Sequence, residues 1–143
     1  MRFIGLLRAD ADSEAGAPPD PDLMARMGDF MEEVTKAGVL LATDGLHPSS
    51  KGARVRLEDG NLTVTDGPFA ESKELIASYA IFDVASKDEA VHWTTKFLKV
   101  LGGGECEIRQ IFDPSDFSSD VFPPEEQQRE AVVRERMAQN AAR

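Results

Sequence analysis

The strongest constraint on this chain is a repeated switch in hydrophobic period between residues 1 and 112. Short segments of period two alternate with two stripes of period three to four, so strands and amphipathic helices must share one core. Residues 2–8 read as a strand, Arg2-Phe3-Ile4-Gly5-Leu6-Leu7-Arg8, followed by an exposed loop, Ala9–Pro19, rich in Ala, Asp, Gly and Pro. Asp20 is a good N-cap and Pro21 suits the first helical position. Leu23, Met27, Phe30, Met31 and Val34 then form one apolar stripe, which ends before Gly38. The methionines in it read as core filler.

Val39–Ala42 reads as a short strand leading into Thr43-Asp44-Gly45-Leu46-His47-Pro48-Ser49-Ser50. Ala53–Glu58 and Asn61–Thr65 read as a hairpin closed by Asp59-Gly60. Leu75–Val84 reads as a long strand. Ser86 and Glu89 form a capping box for a second helix with an apolar face of Ala90, Trp93, Phe97, Leu98 and Leu101. Gly102-Gly103-Gly104 ends that helix; because it follows a helix instead of opening one, it lacks the setting of a phosphate loop. Glu105–Phe112 reads as the last strand, with Cys106 and Ile108 on one face and Arg109 on the other.

With the hairpin set aside, the order is β-α-β-β-α-β, the ferredoxin-like α+β arrangement. Both helices then cover one face of the sheet. Phe3 and Leu7 alternate with Ile4 and Leu6, so the other face is apolar too. A second subunit laid against it is the simplest cover, and a homodimer is expected. From Asp113 the composition shifts to a polar linker, and residues 124–140 read as a helix with a thin stripe of Ala131, Val132 and Met137. Phe117, Val121 and Phe122 are its candidate anchors. The chain thus divides into a domain over 1–112 and an extension over 113–143.

Composition removes several function classes. The chain carries 26 acidic and 16 basic residues, a formal charge of −10, which repels nucleic-acid phosphates. No apolar run reaches membrane-spanning length, and the N-terminal residues do not resemble a signal peptide, so a cytoplasmic protein is expected. Cys106 is the single cysteine and His47 and His92 are the only histidines; they offer no disulfide framework and no metal-ligand cluster. No cofactor is expected.

The densest polar stretch is Thr65-Asp66-Gly67-Pro68-Phe69-Ala70-Glu71-Ser72-Lys73-Glu74. Asp-Gly-Pro is turn chemistry, with Gly67 read as supplying positive φ and Asp66 as an Asx-turn acceptor or a general base. Glu71 and Lys73, two apart on an extended segment, point the same way and can hold a polar ligand, with Phe69 beside them. His47 is the candidate acid–base group of the neighbouring loop, which also carries Ser49. Tyr79 can offer its hydroxyl to a cavity, and Arg109 can reach an anionic ligand. The candidate catalytic residues are therefore Asp66, His47 and Lys73; the candidate ligand-binding residues are Glu71, Phe69, Ser49, Arg109 and Tyr79.

The stretch Val64–Glu74 closely resembles the signature of the YCII-related family in its "DGPF" branch. Ala37-Gly38-Val39-Leu40, Asp44-Gly45-Leu46-His47-Pro48-Ser49, Phe82-Asp83-Val84 and Glu89-Ala90 resemble further family elements. The resemblance covers residues 1–112. It implies a dimeric α+β barrel of ferredoxin-like halves, similar to muconolactone isomerases and small monooxygenases, with a biochemical function largely unassigned. Members often occur beside extracytoplasmic-function sigma factors. Some members have a proposed His-Asp pair, but neither His47 nor His92 stands in a matching context. Three roles follow for the loop: a cofactor-independent acid–base site for a small polar molecule, a metabolite- or partner-binding module linked to transcription regulation, or a clasp at the dimer interface.

Overall fold

A computed structural model describes residues 1–70 and 74–143. It contains β1 (Arg2–Arg8), α1 (Ala11–Glu14), α2 (Pro21–Lys36), β2 (Leu40–Gly45), β3 (Ala53–Glu58), β4 (Asn61–Asp66), β5 (Ile76–Asp83), α3 (Lys87–Leu101), β6 (Cys106–Gln110) and α4 (Pro124–Ala141). Four strands form an antiparallel sheet in the order β2-β5-β1-β6. With α2 and α3 as its crossovers, this is the ferredoxin-like order. The β3–β4 hairpin forms a separate two-stranded ribbon.

Local chemistry explains most element ends. The Asp20 carboxylate accepts from the Asp22 amide at 3.2 Å, with Pro21 in the first turn of α2. Ser86 Oγ accepts from the Glu89 amide at 3.1 Å to start α3, while Glu89 accepts from the Ala85 amide, one residue before the cap. Asp59 (φ 51°) and Gly60 (φ 77°) are both left-handed, as a tight hairpin turn requires.

Three sequence expectations need correction. The 9–19 loop contains α1, a single turn whose Asp10 and Ser13 cap each other. One turn is too short to show hydrophobic periodicity, so only its caps mark it. Second, the strand read over Val39–Ala42 runs instead over Leu40–Gly45. Its ladder to β5 (Thr43 opposite Ala80, Asp44 opposite Tyr79) carries it past the apolar residues, and the Thr43 hydroxyl donates to the Tyr79 carbonyl at 2.8 Å. Third, β5 and β6 are shorter than read, at Ile76–Asp83 and Cys106–Gln110.

Phe3, Phe30, Val34, Val39, Phe82, Val84 and Ala90 form the buried core between the helices and one sheet face. Trp93 and Phe97 pack on it, with ring centroids 6.4 and 6.2 Å from Phe30. Alternation along β1 and β5 places Ile4, Leu6, Tyr79 and Ile81 on the opposite face.

The chain separates into two compact units, 1–111 and 112–143. In the second, Phe117 lies between Phe112 and Phe122, at centroid distances of 5.0 and 6.1 Å. Gln127 Nε2 donates to the Phe122 carbonyl at 2.8 Å, and Arg134 pairs with Glu130 along α4. Val132, Val133 and Met137 are exposed on that helix. No helix among the described residues is long and apolar enough to cross a membrane.

Candidate functional site

Two regions collect the chemistry, the Gly67–Phe69 loop and a cavity beneath the helices. At the loop, the Ser49 hydroxyl is the hub. It donates to Glu14 at 2.5 Å and accepts from the Phe69 amide at 3.0 Å, while the Ser49 amide donates to the other Glu14 oxygen at 2.9 Å. The Gly67 amide donates to the Gly52 carbonyl at 3.0 Å, and the Arg54 guanidinium sits 4.0 Å above the Phe69 ring centre. The structure thus joins Ser49 and Phe69, and adds Glu14 from α1, a residue that sequence reasoning missed.

Gly67 is required for a different reason from the one its sequence suggests. It is not among the residues with positive φ; a Cβ there would fall 1.7 Å from the Ser49 carbonyl oxygen. The Gly67–Pro68 peptide is cis.

The other expected site residues are dispersed. Asp66 ends β4 opposite Ala53, exposed and without a side-chain hydrogen bond among the described residues, so the Asx turn does not form there. His47 is exposed, with no hydrogen bond to Asp66 among the described residues. Arg109 pairs with Glu107 at 3.4 Å along β6, and Glu107 also holds Arg8 at 3.1 Å. The Tyr79 hydroxyl donates to Asp44 at 2.9 Å across the β5–β2 ladder. That bond, with the carboxylate charge, raises the Tyr79 pKa, so the phenol stays protonated. Glu71 and Lys73 lie outside the described residues.

Glu14 is held below its ordinary pKa of 4.5 by the Ser49 hydroxyl and Ser49 amide. A depressed folded-state value stabilises the fold above the unfolded pKa, and the contribution is lost as pH falls through the folded value. Glu14→Gln is therefore expected to melt below wild type near pH 6, with the gap narrowing as pH falls below 4.5. Thermal melts across that range check this; a pH-independent difference contradicts it.

The second region is a cavity of about 60 Å³ between the helix layer and the sheet. Gly5, Leu7, Leu40, Ala80 and Phe82 line it from the strands, and Phe30, Met31, Val34, Thr94 and Phe97 from the helices. Cys106 also lines it, and burial pushes its thiol pKa up, with Glu105 adding repulsion. Thr94 is 7% exposed, and its Oγ1 has no hydrogen-bond partner among the described residues. An orphaned buried hydroxyl costs about 1–3 kcal/mol. Neighbouring Thr95, which is exposed, donates to the Val91 carbonyl at 2.7 Å. Thr94 was legible only as a polar interruption beside Trp93 and Phe97.

An open depression of about 890 Å³ runs past Arg8, Asp10 and Gly102–Glu105. Of its charged groups, Arg8 is engaged by Glu107 and Asp10 by the Ser13 amide, and Glu105 lines it as well. Among the described residues, no group of three His, Cys, Asp or Glu side chains is placed to hold a metal ion.

Residues 1–114 match the YCII-related domain family. An uncharacterised protein of Rhizobium meliloti (strain 1021) is 35% identical over 103 residues, which span 70% of this chain and 83% of that protein. Among solved structures, 5-chloro-2-hydroxyhydroquinone dehydrochlorinase from Burkholderia phenoliruptrix AC1100, in complex with 2,5-dihydroxybenzoquinone, aligns at TM-score 0.46 and 14% identity. That alignment covers 82% of this chain and all of the other.

Proposed function

Because the chain belongs to the YCII-related domain family, we propose that it is a small-molecule-binding protein that works as a homodimer and takes its ligand into the cavity beneath the helices. The observation that carries this reading is the 60 Å³ space with the unpaired Thr94 hydroxyl in its wall. Protein interiors leave few voids larger than a water molecule. A void that also keeps a polar group without a partner suits an occupant.

Binding has more support than turnover. Among the described residues, no Asp, Glu, His, Lys or Arg lines the cavity, and burial pushes the Cys106 thiol pKa up, which favours its protonated form. Acid–base catalysis by Asp66 and His47, with Lys73, has less support, since both described residues are exposed and do not bond to each other. A binder without turnover also fits a metabolite-sensing module linked to transcription regulation.

A thermal-shift screen of small neutral metabolites tests the cavity, using Ala80→Ile to fill it. Compounds that raise the wild-type Tm are expected to leave the variant unmoved; a compound that stabilises both equally overturns the assignment.

The homodimer rests on two apolar surfaces. Ile4, Leu6 and Ile81 share the sheet face away from α2 and α3. On the ribbon, Val55 pairs with Val64 and Leu57 with Leu62, and all four are 59–72% exposed. An isolated two-stranded ribbon is marginally stable, so a second copy laid on both surfaces would support it. Sedimentation at micromolar concentration is expected to give a dimer, and a monomer overturns this part.

A further inference from the structure

We propose that the cavity recognises a neutral, mainly apolar molecule bearing one oxygen, such as a short-chain alcohol or ketone, with Thr94 Oγ1 as the group that reads that oxygen. This rests on the binding reading above and adds the chemistry of the ligand.

Charge is decided by the lining. Among the described residues, the wall is aliphatic, aromatic, hydroxyl and thiol, with no side chain to balance an ion. An unpaired charge there would be prohibitively desolvated, so the occupant is neutral. Size follows from the volume. One water needs roughly 10–15 Å³ of such space, and a cavity of about 150 Å³ takes benzene. At about 60 Å³ the site lies between those limits.

Polarity follows from hydrogen-bond accounting. Of the other hydroxyl residues in the wall, Thr43 already donates to the Tyr79 carbonyl, Tyr79 itself donates to Asp44, and Ser78 is only half-buried, which leaves Thr94 as the fully buried one. Thr94 Oγ1 is shielded from solvent and has no partner among the described residues. A hydroxyl can both donate and accept, so either an alcohol or a carbonyl oxygen completes it. Ordered water alone is a poorer occupant, because it needs two to four polar partners and most of this wall is apolar.

The test compares propan-2-ol with xenon, which fills apolar space without hydrogen bonding. Amide and methyl shifts of Val34, Ala80, Thr94 and Cys106 are followed by NMR in wild type and in Thr94→Val, an isosteric change that removes the hydroxyl. Wild type is expected to take both probes. In Thr94→Val, propan-2-ol should weaken about tenfold and xenon should stay within about twofold. The ligand-free variant should also melt above wild type, because it no longer buries an unpaired hydroxyl. Equal propan-2-ol binding in both proteins overturns the role of Thr94 while leaving the cavity reading intact. If wild type takes up neither probe, both fail. If Thr94→Val melts below wild type, the hydroxyl already has a partner and the inference is wrong.

Discussion

Gly67→Ala is expected to cost on the order of 2–4 kcal/mol and to unseat the loop it belongs to. The added Cβ would stand 1.7 Å from the Ser49 carbonyl oxygen, 2.6 Å from its carbon and 3.2 Å from the Ser50 nitrogen. All three are backbone atoms, so no side-chain rotation relieves the overlap. Separating the segments threatens the Gly67 amide bond to Gly52 and the Phe69 amide bond to Ser49. Urea denaturation measures the loss, and NMR shifts of Ser49, Gly52 and Phe69 locate it. Stability within about 0.5 kcal/mol of wild type, with those shifts unchanged, would show that the two segments do not pack this closely.

Phe82→Ala is expected to have the larger effect, roughly 3–5 kcal/mol. Phe82 is 6% exposed, pairs across the sheet with Phe3 and Leu40, and forms part of the cavity wall. The space left by its ring would join a void that already exists, so the surroundings have little means of closing over it. Two measurements follow from one variant. Urea denaturation gives the stability loss, and benzene, excluded from wild type by size, should now raise the variant's Tm. A loss below about 1.5 kcal/mol would mean that the ring is not packed as described.

The layout of the sheet and helices was legible because its signals are local. Asp20-Pro21 opens α2, Asp59-Gly60 turns the hairpin, and Ser86 with Glu89 opens α3; each acts within four residues of itself. The candidate site was legible only in part, because its bonds join distant residues. Glu14 meets Ser49 across 35 positions, Ser49 meets Phe69 across 20, and Asp44 meets Tyr79 across 35. Nothing near Glu14 in the sequence announces such a role, since α1 is a single turn without an apolar stripe. The alternation of Val55, Leu57, Leu62 and Val64 marks strands correctly but gives no sign that they form a ribbon apart from the main sheet.

Thr94 shows the same limit at the cavity. Its place on α3 beside Trp93 puts it near the core, but whether its hydroxyl has a partner depends on α2, β1 and β5 packing around it. In the described part of the polar loop, the Gly67 amide is tied to Gly52 and the Phe69 amide to Ser49, which Glu14 holds in turn, while the proposed ligand space lies in the apolar interior.

The most direct measurement of the binding claim is a crystal structure of the protein pressurised with xenon. One strong xenon peak is expected between the helices and the sheet, bounded by Val34, Ala80, Thr94 and Cys106, with those side chains unmoved. Side chains that fill this space, leaving no peak there under pressure, would contradict it.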